Sequence, residues 1–201
     1  MEVVTDQTSD GALVGRCLAG DDRAFATLVQ RHQARIFNVC LRMLGNAEDA
    51  ADAAQEAFLS AYRNLGRFRG DAAFTTWLHR ITVNACYDLL RKQRRQPLLR
   101  SIPDGDGPSP EIGEPLPDHA DEVAGTMDVI AALGRVPEEF RVTLVLADVE
   151  DLPYEEIARI LDIPVGTVKS RVHRGRLALA RALDIGAGEP APKSRPSEGQ
   201  A

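Results

Sequence analysis

The sequence is poor in the residues that many specialised proteins depend on. Of its 201 residues only three are cysteine and one is tryptophan, and aromatic residues make up 5%. The three cysteines (Cys17, Cys40 and Cys86) have no C-x-x-C spacing, which argues against a disulfide framework and favours small buried side chains. No stretch approaches the roughly 20 apolar residues that cross a bilayer, and the acidic residues 1–10 do not resemble a signal peptide. We therefore expect a cytoplasmic protein that makes no membrane contact of its own.

Sequence signs of catalysis and of metal binding are also missing. There is no Walker A segment, no G-x-S-x-G and no C-x-x-C pair. The four histidines (His32, His79, His119 and His173) share no ligand or catalytic spacing with Cys, Asp or Glu. A zinc site built from His32, His79 and a cysteine stays an alternative, but separate structural roles are favoured. We expect no catalytic residue, no metal site and no cofactor, and therefore no enzyme.

Apolar side chains recur at helical spacing through most of the chain, which predicts an all-α fold. The abundance of alanine, leucine and arginine agrees, because these residues lose little conformational freedom in a helix. The pattern predicts seven helices, which begin near residues 21, 47, 74, 126, 137, 153 and 165. Asn46 is the predicted cap of the second helix, with Glu48 and Asp49 in its first turn.

Residues 97–123 differ from the rest of the chain, because they are rich in proline and glycine and have few apolar side chains to bury. A structureless segment this long is uncommon inside a compact domain, so it indicates a linker between two small helical domains. The predicted organisation is a first domain at 15–96, a flexible acidic linker at 97–123, a second domain at 124–183 with a helix-turn-helix, and a disordered tail at 184–201.

The charge is distributed unevenly along the chain. The net charge is -6, yet residues 63–100 carry nine basic and two acidic residues, and residues 163–181 carry five basic and no acidic ones. Residues 101–126, between these two patches, carry seven acidic and no basic residues. An acidic protein with two local basic patches can still bind phosphate at those patches.

Residues 154–176 have the layout of a helix-turn-helix: a short helix, a tight turn and a basic helix. Val165, Val168 and Val172 form the buried stripe of the last helix, and its other side is polar and basic. Its cations can pair with DNA phosphates, and Ser170, His173 and Arg174 could reach base edges in a major groove. The alternative is a solvated basic face of an ordinary helical bundle.

The first basic patch is less specific. The run 91–95 could be a favourable cationic helix end or a DNA contact. Upstream, aromatic side chains alternate with cations, an arrangement that suits unstacked single-stranded bases. These residues are Phe68, Phe74, Trp77 and Tyr87, near Arg67, Arg69 and Arg80. The alternative for Phe74 and Trp77 is a place in the hydrophobic core.

Two groups of motifs in the chain follow a known pattern. The first group consists of DAADAAQEAF at 49–58, FRG at 68–70, TWL at 76–78 and ITVN at 81–84. This group resembles region 2 of sigma factors of the sigma-70 family. The segments YEEIA at 154–158, PVGTVKSR at 164–171 and RGR at 174–176 resemble region 4. Only these two regions are present, joined by a variable linker, which resembles the extracytoplasmic-function (ECF) group. The resemblance covers roughly residues 15–96 and 124–183.

The resemblance implies three sets of functional residues. The residues that match positions by which such factors bind core RNA polymerase are Asp52, Gln55 and Glu56. A second set is implied to bind the −10 promoter element, from which a flipped base is captured. This set is Arg69, Phe74, Trp77, Asn84, Arg91 and Arg94. Those implied for the −35 element are Thr167, Lys169, Ser170, Arg171, His173, Arg174 and Arg176. Without the resemblance, a solvated acidic face is the simpler interpretation of the first set. For Asn84 of the second set, the simpler interpretation is a local hydrogen bond to the backbone.

The resemblance also implies partners. These are core RNA polymerase, through its beta-prime clamp helices and beta flap, promoter DNA, and a cognate anti-sigma factor. The acidic linker resembles those that pass through the polymerase cleft. The alternative function is a freestanding helix-turn-helix regulator, but such regulators usually dimerise, and the sequence shows no heptad seam.

Overall fold

The described part of the chain is built of α-helices, and no strand occurs in it. The computed structural model describes residues 8–95 and 120–187, with side chains over 8–95 and 127–183. The helices are α1 Asp10–Leu18, α2 Asp22–Leu44, α3 Ala47–Asn64, α4 Phe74–Arg95, α5 Ala120–Arg135, α6 Glu138–Leu144, α7 Tyr154–Leu161 and α8 Val165–Ala187. A 3₁₀ turn, Leu65–Arg67, follows α3, and a π-helical turn, Val145–Val149, follows α6. We call α1–α4 the first lobe and α5–α8 the second lobe.

The first lobe is organised around α2, which packs against α1, α3 and α4. Its core consists of large aliphatic side chains such as Leu28, Ile36 and Met43, each 1% exposed. The buried side of α3 carries alanines instead, at positions 50, 53, 54, 57 and 61. Small side chains let α3 lie close to its neighbours, and its polar side is left in solvent. Asn46 caps α3 as predicted, because its Oδ1 accepts a hydrogen bond from the Asp49 amide at 2.8 Å.

The second lobe is organised around α8, which packs against α5, α6 and α7. Val168 and Val172 on α8 are 0% and 1% exposed, as the sequence pattern predicts. The π-helical turn lets the Glu150 amide donate to the carbonyl of Val145, five residues earlier, at 3.1 Å. Glu150 is thereby placed at the end of this turn, where it is 6% exposed. The chain then turns at Asp151 and enters α7.

Gly175 lies where α8 and α6 come closest. A Cβ at this position would meet the Phe140 carbonyl oxygen at 3.2 Å and the Leu144 Cβ at 3.4 Å. Gly175→Val should therefore lower the free energy of unfolding of the second lobe by about 1–3 kcal/mol, because the helices have to move apart. Urea unfolding followed by circular dichroism measures this effect.

Gly166 provides the matched control, because a Cβ there has nothing within 4 Å. Gly166→Ala should raise the free energy of unfolding by up to about 1 kcal/mol, since alanine favours a helix more than glycine. A Gly175→Val protein as stable as the wild type would contradict the packing described for α6 and α8.

The structure confirms the all-α fold and the seven predicted helices, which are α2–α8. It adds α1, which the sequence pattern did not predict. The predicted start of the first domain, residue 15, falls inside α1, and α5 begins at Ala120, four residues before the predicted second domain. Likewise, α8 continues to Ala187, past the predicted end at 183. Most of the predicted linker and tail, at 97–119 and 188–201, lies outside the described residues.

Candidate nucleic-acid interface

The turn between α7 and α8 sets the direction of the basic helix. Asp162 ends α7 with φ 54° and ψ 49°, a left-handed conformation that Asp tolerates better than most residues. The Ile163 amide donates back to the Ala158 carbonyl at 3.1 Å, and the Thr167 amide donates to the Pro164 carbonyl at 2.9 Å. With Val168 and Val172 buried, the opposite side of α8 points into solvent.

The outward side of α8 carries most of the residues predicted to bind the −35 element. Those that are exposed and lie within about two turns of one another are Lys169, Ser170, His173 and Arg174. The Arg174 guanidinium lies 6.0 Å from the centre of the Phe140 ring, a cation–π contact that restrains it. Thr167 is half-buried, and its carbonyl accepts a hydrogen bond from the Ser170 Oγ at 2.9 Å. This side therefore presents cations and a hydroxyl to any duplex that approaches it.

Two further cations of this set are held by carboxylates of the same lobe. Arg171 donates to Glu139 at 2.9 Å, and its side chain is only 25% exposed. Arg176 binds Asp148 through two hydrogen bonds, at 2.9 Å and 2.6 Å. These bonds, together with the charge of Asp148, raise the pKa of Arg176 further above its already high usual range. Arg176 thus joins α8 to the π-helical turn, in addition to any contact with DNA.

A cleft of about 410 Å³ opens on the first lobe, beside α4. Its lining combines one aromatic ring, one aliphatic side chain, two cations and two amides: Asn64, Arg67, Trp77, Arg80, Ile81 and Asn84. Trp77 and Asn84, both predicted −10 residues, come together here because they lie two helical turns apart on α4. A ring that can stack on a base, next to cations for the phosphates, suits an unpaired nucleotide.

The other predicted −10 residues lie around this cleft or away from it. Phe74 is 4% exposed and packs behind Trp77, so its ring has no free face on which a base could stack. Arg69 is exposed in the loop before α4. Arg91 pairs with Asp88 on the same helix, and Arg94 pairs with Glu138 of the second lobe. The cleft also contains Asn64 and Ile81, which were not predicted as −10 residues. Ile81 lies in the ITVN motif at 81–84, and its spacing of four residues from Trp77 could have identified it.

The predicted polymerase-binding residues share the outer side of α3. Asp52, Gln55 and Glu56 are all exposed, opposite the buried alanines. Leu59, on the same side of the helix, is an apolar side chain that is 42% exposed. An acidic surface around an exposed leucine is suited to a partner helix with basic and apolar side chains.

The two lobes contact each other through a buried carboxylate. Glu150 of the second lobe accepts hydrogen bonds from Arg35 of α2 and from the His79 Nε2, the latter at 3.0 Å. Next to this contact, the Thr76 hydroxyl donates to Glu156 of α7 at 2.8 Å. Glu150 and His79 are 6% and 1% exposed, so this ion pair is shielded from water.

Burial of Glu150 would by itself raise the pKa of its carboxyl group. The hydrogen bonds and positive charges of His79 and Arg35 outweigh burial, and the pKa is lowered below its ordinary value. A lowered pKa means that the carboxylate contributes to stability above the ordinary value of about 4.3 and loses that contribution as the pH falls through the lowered value.

Acid should therefore weaken the contact between the lobes. We expect the radius of gyration in small-angle scattering to rise as the pH is lowered from 5 towards 3, before the helices unfold. Glu150→Gln, which has no carboxylate to protonate, should already be expanded at pH 7 and should change less across this range. Equal pH profiles for the two proteins would contradict this assignment.

The histidines of the proposed zinc alternative have separate partners. His32 contacts Asp10, and His79 contacts Glu150. Over the described residues, no three His, Cys, Asp or Glu side chains are placed to hold a metal ion together. In the same residues, no helix is both long and apolar enough to span a membrane.

Comparison with known proteins agrees with this division into two lobes. Residues 28–96 match the family model for sigma-70 region 2, and residues 126–179 match the model for sigma-70 region 4. The RNA polymerase sigma-H factor of Pseudomonas aeruginosa is 40% identical over 190 residues, covering 88% of this chain and 95% of that protein. The ECF RNA polymerase sigma-E factor of Escherichia coli K12 is 38% identical over 183 residues, covering 88% and 95%.

Solved structures share the fold. CnrH, solved with the cytosolic domain of CnrY, has a TM-score of 0.66 at 24% identity, covering 89% of this chain and 99% of that one. RpoE of Bartonella quintana, solved with the anti-sigma factor NepR, has a TM-score of 0.63 at 22% identity, covering 80% and 97%. If the chain were a freestanding helix-turn-helix regulator, only the second lobe would be expected to match a sigma-factor model. Both lobes match one. The chain belongs to the sigma-70 family and is a transcription-initiation sigma factor of the extracytoplasmic-function group.

Proposed function

We propose that this chain binds core RNA polymerase through the outer side of α3 and directs initiation by reading two promoter elements, one with each lobe. The observation that carries the proposal is that one chain exposes both a cationic side of α8 and the Trp77–Asn84 cleft. The first suits a duplex major groove and the second suits an unpaired base.

Each lobe has a defined task in this proposal. The α8 residues Thr167, Lys169, Ser170, Arg171, His173, Arg174 and Arg176 bind the −35 duplex. The −10 element is bound by the set Arg69, Phe74, Trp77, Asn84, Arg91 and Arg94. Within this set, Trp77 stacks on a base, and the Asn84 amide can both donate and accept a hydrogen bond. Asp52, Gln55 and Glu56 bind the clamp helices of the polymerase beta-prime subunit, and the second lobe binds the beta flap.

Promoter binding requires the lobes to separate. Elements near −35 and −10 lie about 25 base pairs apart, on the order of 85 Å along B-DNA. The lobes contact each other through Glu150, so α8 and the α4 cleft cannot reach both elements together. The arrangement in this structure is therefore a closed state that polymerase has to open. The acidic linker, most of which lies outside the described residues, would then span the gap in the polymerase cleft.

Regulation by an anti-sigma factor is part of the proposal, by analogy with RpoE of B. quintana and its partner NepR. A protein that holds the lobes together, or covers the α3 surface, would keep this chain from polymerase. We further propose that the chain has no catalytic activity of its own, and that it works in the cytoplasm, where transcription takes place.

Run-off transcription with purified core polymerase tests the proposal. A library of promoter fragments is transcribed with and without the chain, and transcripts should start downstream of a shared −35/−10 pair only when the chain is added. No stimulation, together with specific duplex binding by the chain alone, would contradict the proposal and favour the freestanding regulator.

A further inference from the structure

Helix α1 lies before the segment that matches region 2, which begins at residue 28. It is nevertheless firmly docked on the first lobe, because Leu13 and Val14 are 0% and 4% exposed. Ser9 caps its N-terminus, with the Oγ accepting from the Ala12 amide at 3.3 Å. Asp10, the first residue of the helix, points its carboxylate at α2.

The carboxylate of Asp10 is engaged through both oxygens. Oδ2 lies 2.8 Å from the His32 Nε2, and Oδ1 accepts a hydrogen bond from Arg31. His32 is 7% exposed, so its ring lies inside the lobe and its edge is fixed by this hydrogen bond. An imidazole without that partner could rotate about its Cβ–Cγ bond within the space available.

The ring of His32 packs against the ring of Phe74, with centroids 5.7 Å apart. Phe74 in turn packs on Phe68 at 5.9 Å and on Trp77 at 5.8 Å, and Phe68 packs on Trp77 at 5.4 Å. The three rings form a closed triangle, and Trp77 is the member that lines the cleft. His32 is therefore connected to Trp77 through Phe74, by direct contacts between rings.

We propose that Asp10 and His32 are positioning residues for the nucleotide-binding cleft, fixing the Phe68–Phe74–Trp77 ring cluster in the orientation that stacks on an unpaired base. This inference rests on the proposed function, in which the cleft binds a base of the −10 element. It gives α1 a part in promoter recognition although α1 has no surface in the cleft. Stacking depends on the plane of the ring, so loss of the Asp10–His32 bond should weaken base binding without removing any residue that contacts DNA.

The test uses holoenzyme formed from core polymerase and the full chain, and a labelled 12-nucleotide strand carrying the −10 region of a promoter found by run-off transcription. Asp10→Ala should lower the affinity for this strand about tenfold, whereas Asp10→Asn, whose amide oxygen can still accept from His32, should stay close to the wild type. The affinity for a duplex containing only the −35 element should not change in either variant.

Trp77 is the single tryptophan of the chain, so the fluorescence of the free protein gives a second readout. Its emission maximum and its accessibility to acrylamide should change in Asp10→Ala and return in Asp10→Asn. His32→Leu should show the same defect as Asp10→Ala, and His32→Gln, whose side-chain amide can donate to Asp10, should recover part of the affinity. Thermal unfolding of each variant shows whether the lobe remains folded.

Asp21→Asn is the matched control. It removes the charge that pairs with Arg16 at the junction of α1 and α2, 2.7 Å from its guanidinium, and asparagine can still cap α2. Wild-type affinity in Asp21→Asn together with a loss in Asp10→Ala supports the proposal. Wild-type strand affinity and emission in Asp10→Ala would overturn it, as would equal losses in both variants. Failure of the wild-type holoenzyme to bind the strand at all would instead overturn the assignment of the cleft, and this inference with it.

Discussion

Replacing Lys169 and Arg174 together by alanine should weaken binding of holoenzyme to the −35 duplex about 100-fold. Both side chains are exposed on the outer side of α8, and neither has a carboxylate partner among the described ion pairs. Each is available for a phosphate or a base edge, and one such contact contributes about 1–3 kcal/mol. Loss of two cations should also reduce the slope of log affinity against log salt by about two.

Arg181→Ala is the matched control for this experiment. Arg181 is an exposed arginine on the same helix, two turns beyond Arg174, so one of the two positive charges lost in the double variant is removed outside the proposed −35-binding surface. The affinity and salt slope of Arg181→Ala should stay close to the wild type, and half the loss in binding free energy seen in the double variant would mean that α8 binds DNA only through its total charge. Arg176→Ala should differ from both, because it also breaks the contact to Asp148 and should lower the unfolding midpoint of the second lobe.

Helix α8, which we propose binds the −35 element, could be predicted because the residues that define its two sides lie close together in the sequence. Val168 and Val172 are buried and Val165 is half-buried, so these three valines define the inner side of α8, and the cations between them must then face outward. The cleft on the first lobe was predictable for the same reason, since Trp77 and Asn84 lie on one side of α4. In both places helical periodicity determines which side chains of one helix are neighbours, but it does not place Asn64 and Arg67, which reach the cleft from α3 and from the 3₁₀ turn after it.

Helix α1 could not be predicted from its own residues. It has only nine residues and contains Gly11 and Gly15, each of which costs about 1 kcal/mol relative to alanine. It exists because Leu13 and Val14 are buried against the rest of the lobe, and that burial depends on tertiary packing. The contacts of Glu150 are hidden in the same way, because Arg35 is 115 residues distant in sequence.

Long-range contacts also alter the role expected of several residues that the sequence predicted to bind DNA. These residues are Arg94, Arg171 and Arg176, and in the closed state each of them is paired with a carboxylate. The Arg94 pair with Glu138 joins the two lobes, so DNA and the second lobe compete for the same guanidinium. A sequence pattern identifies a cation but does not identify the anion that it contacts in each state.

Glu150→Ala should open the closed state. Removing the carboxylate leaves Arg35 and His79 without their shared partner, and breaking a buried ion pair on one side is strongly unfavourable. Because the Arg35 side chain is 45% exposed, we expect less than the usual cost of about 3–5 kcal/mol, namely about 2–3 kcal/mol. The ratio of closed to open molecules should then fall about 30- to 150-fold, and the radius of gyration should rise towards that of two lobes joined by a linker.

Glu156→Gln is the control, because its amide oxygen can still accept the hydrogen bond from the Thr76 hydroxyl. It should stay compact, so that expansion in Glu150→Ala is assigned to the buried ion pair and not to a general loss of negative charge. Because the proposed mode of polymerase and promoter binding requires separated lobes, the open variant should also form holoenzyme at lower concentrations of the chain than the wild type does. Unchanged scattering together with unchanged holoenzyme formation would show that the Glu150 contact does not govern opening. Expansion without any gain in holoenzyme formation would show that polymerase opens the lobes at no appreciable cost.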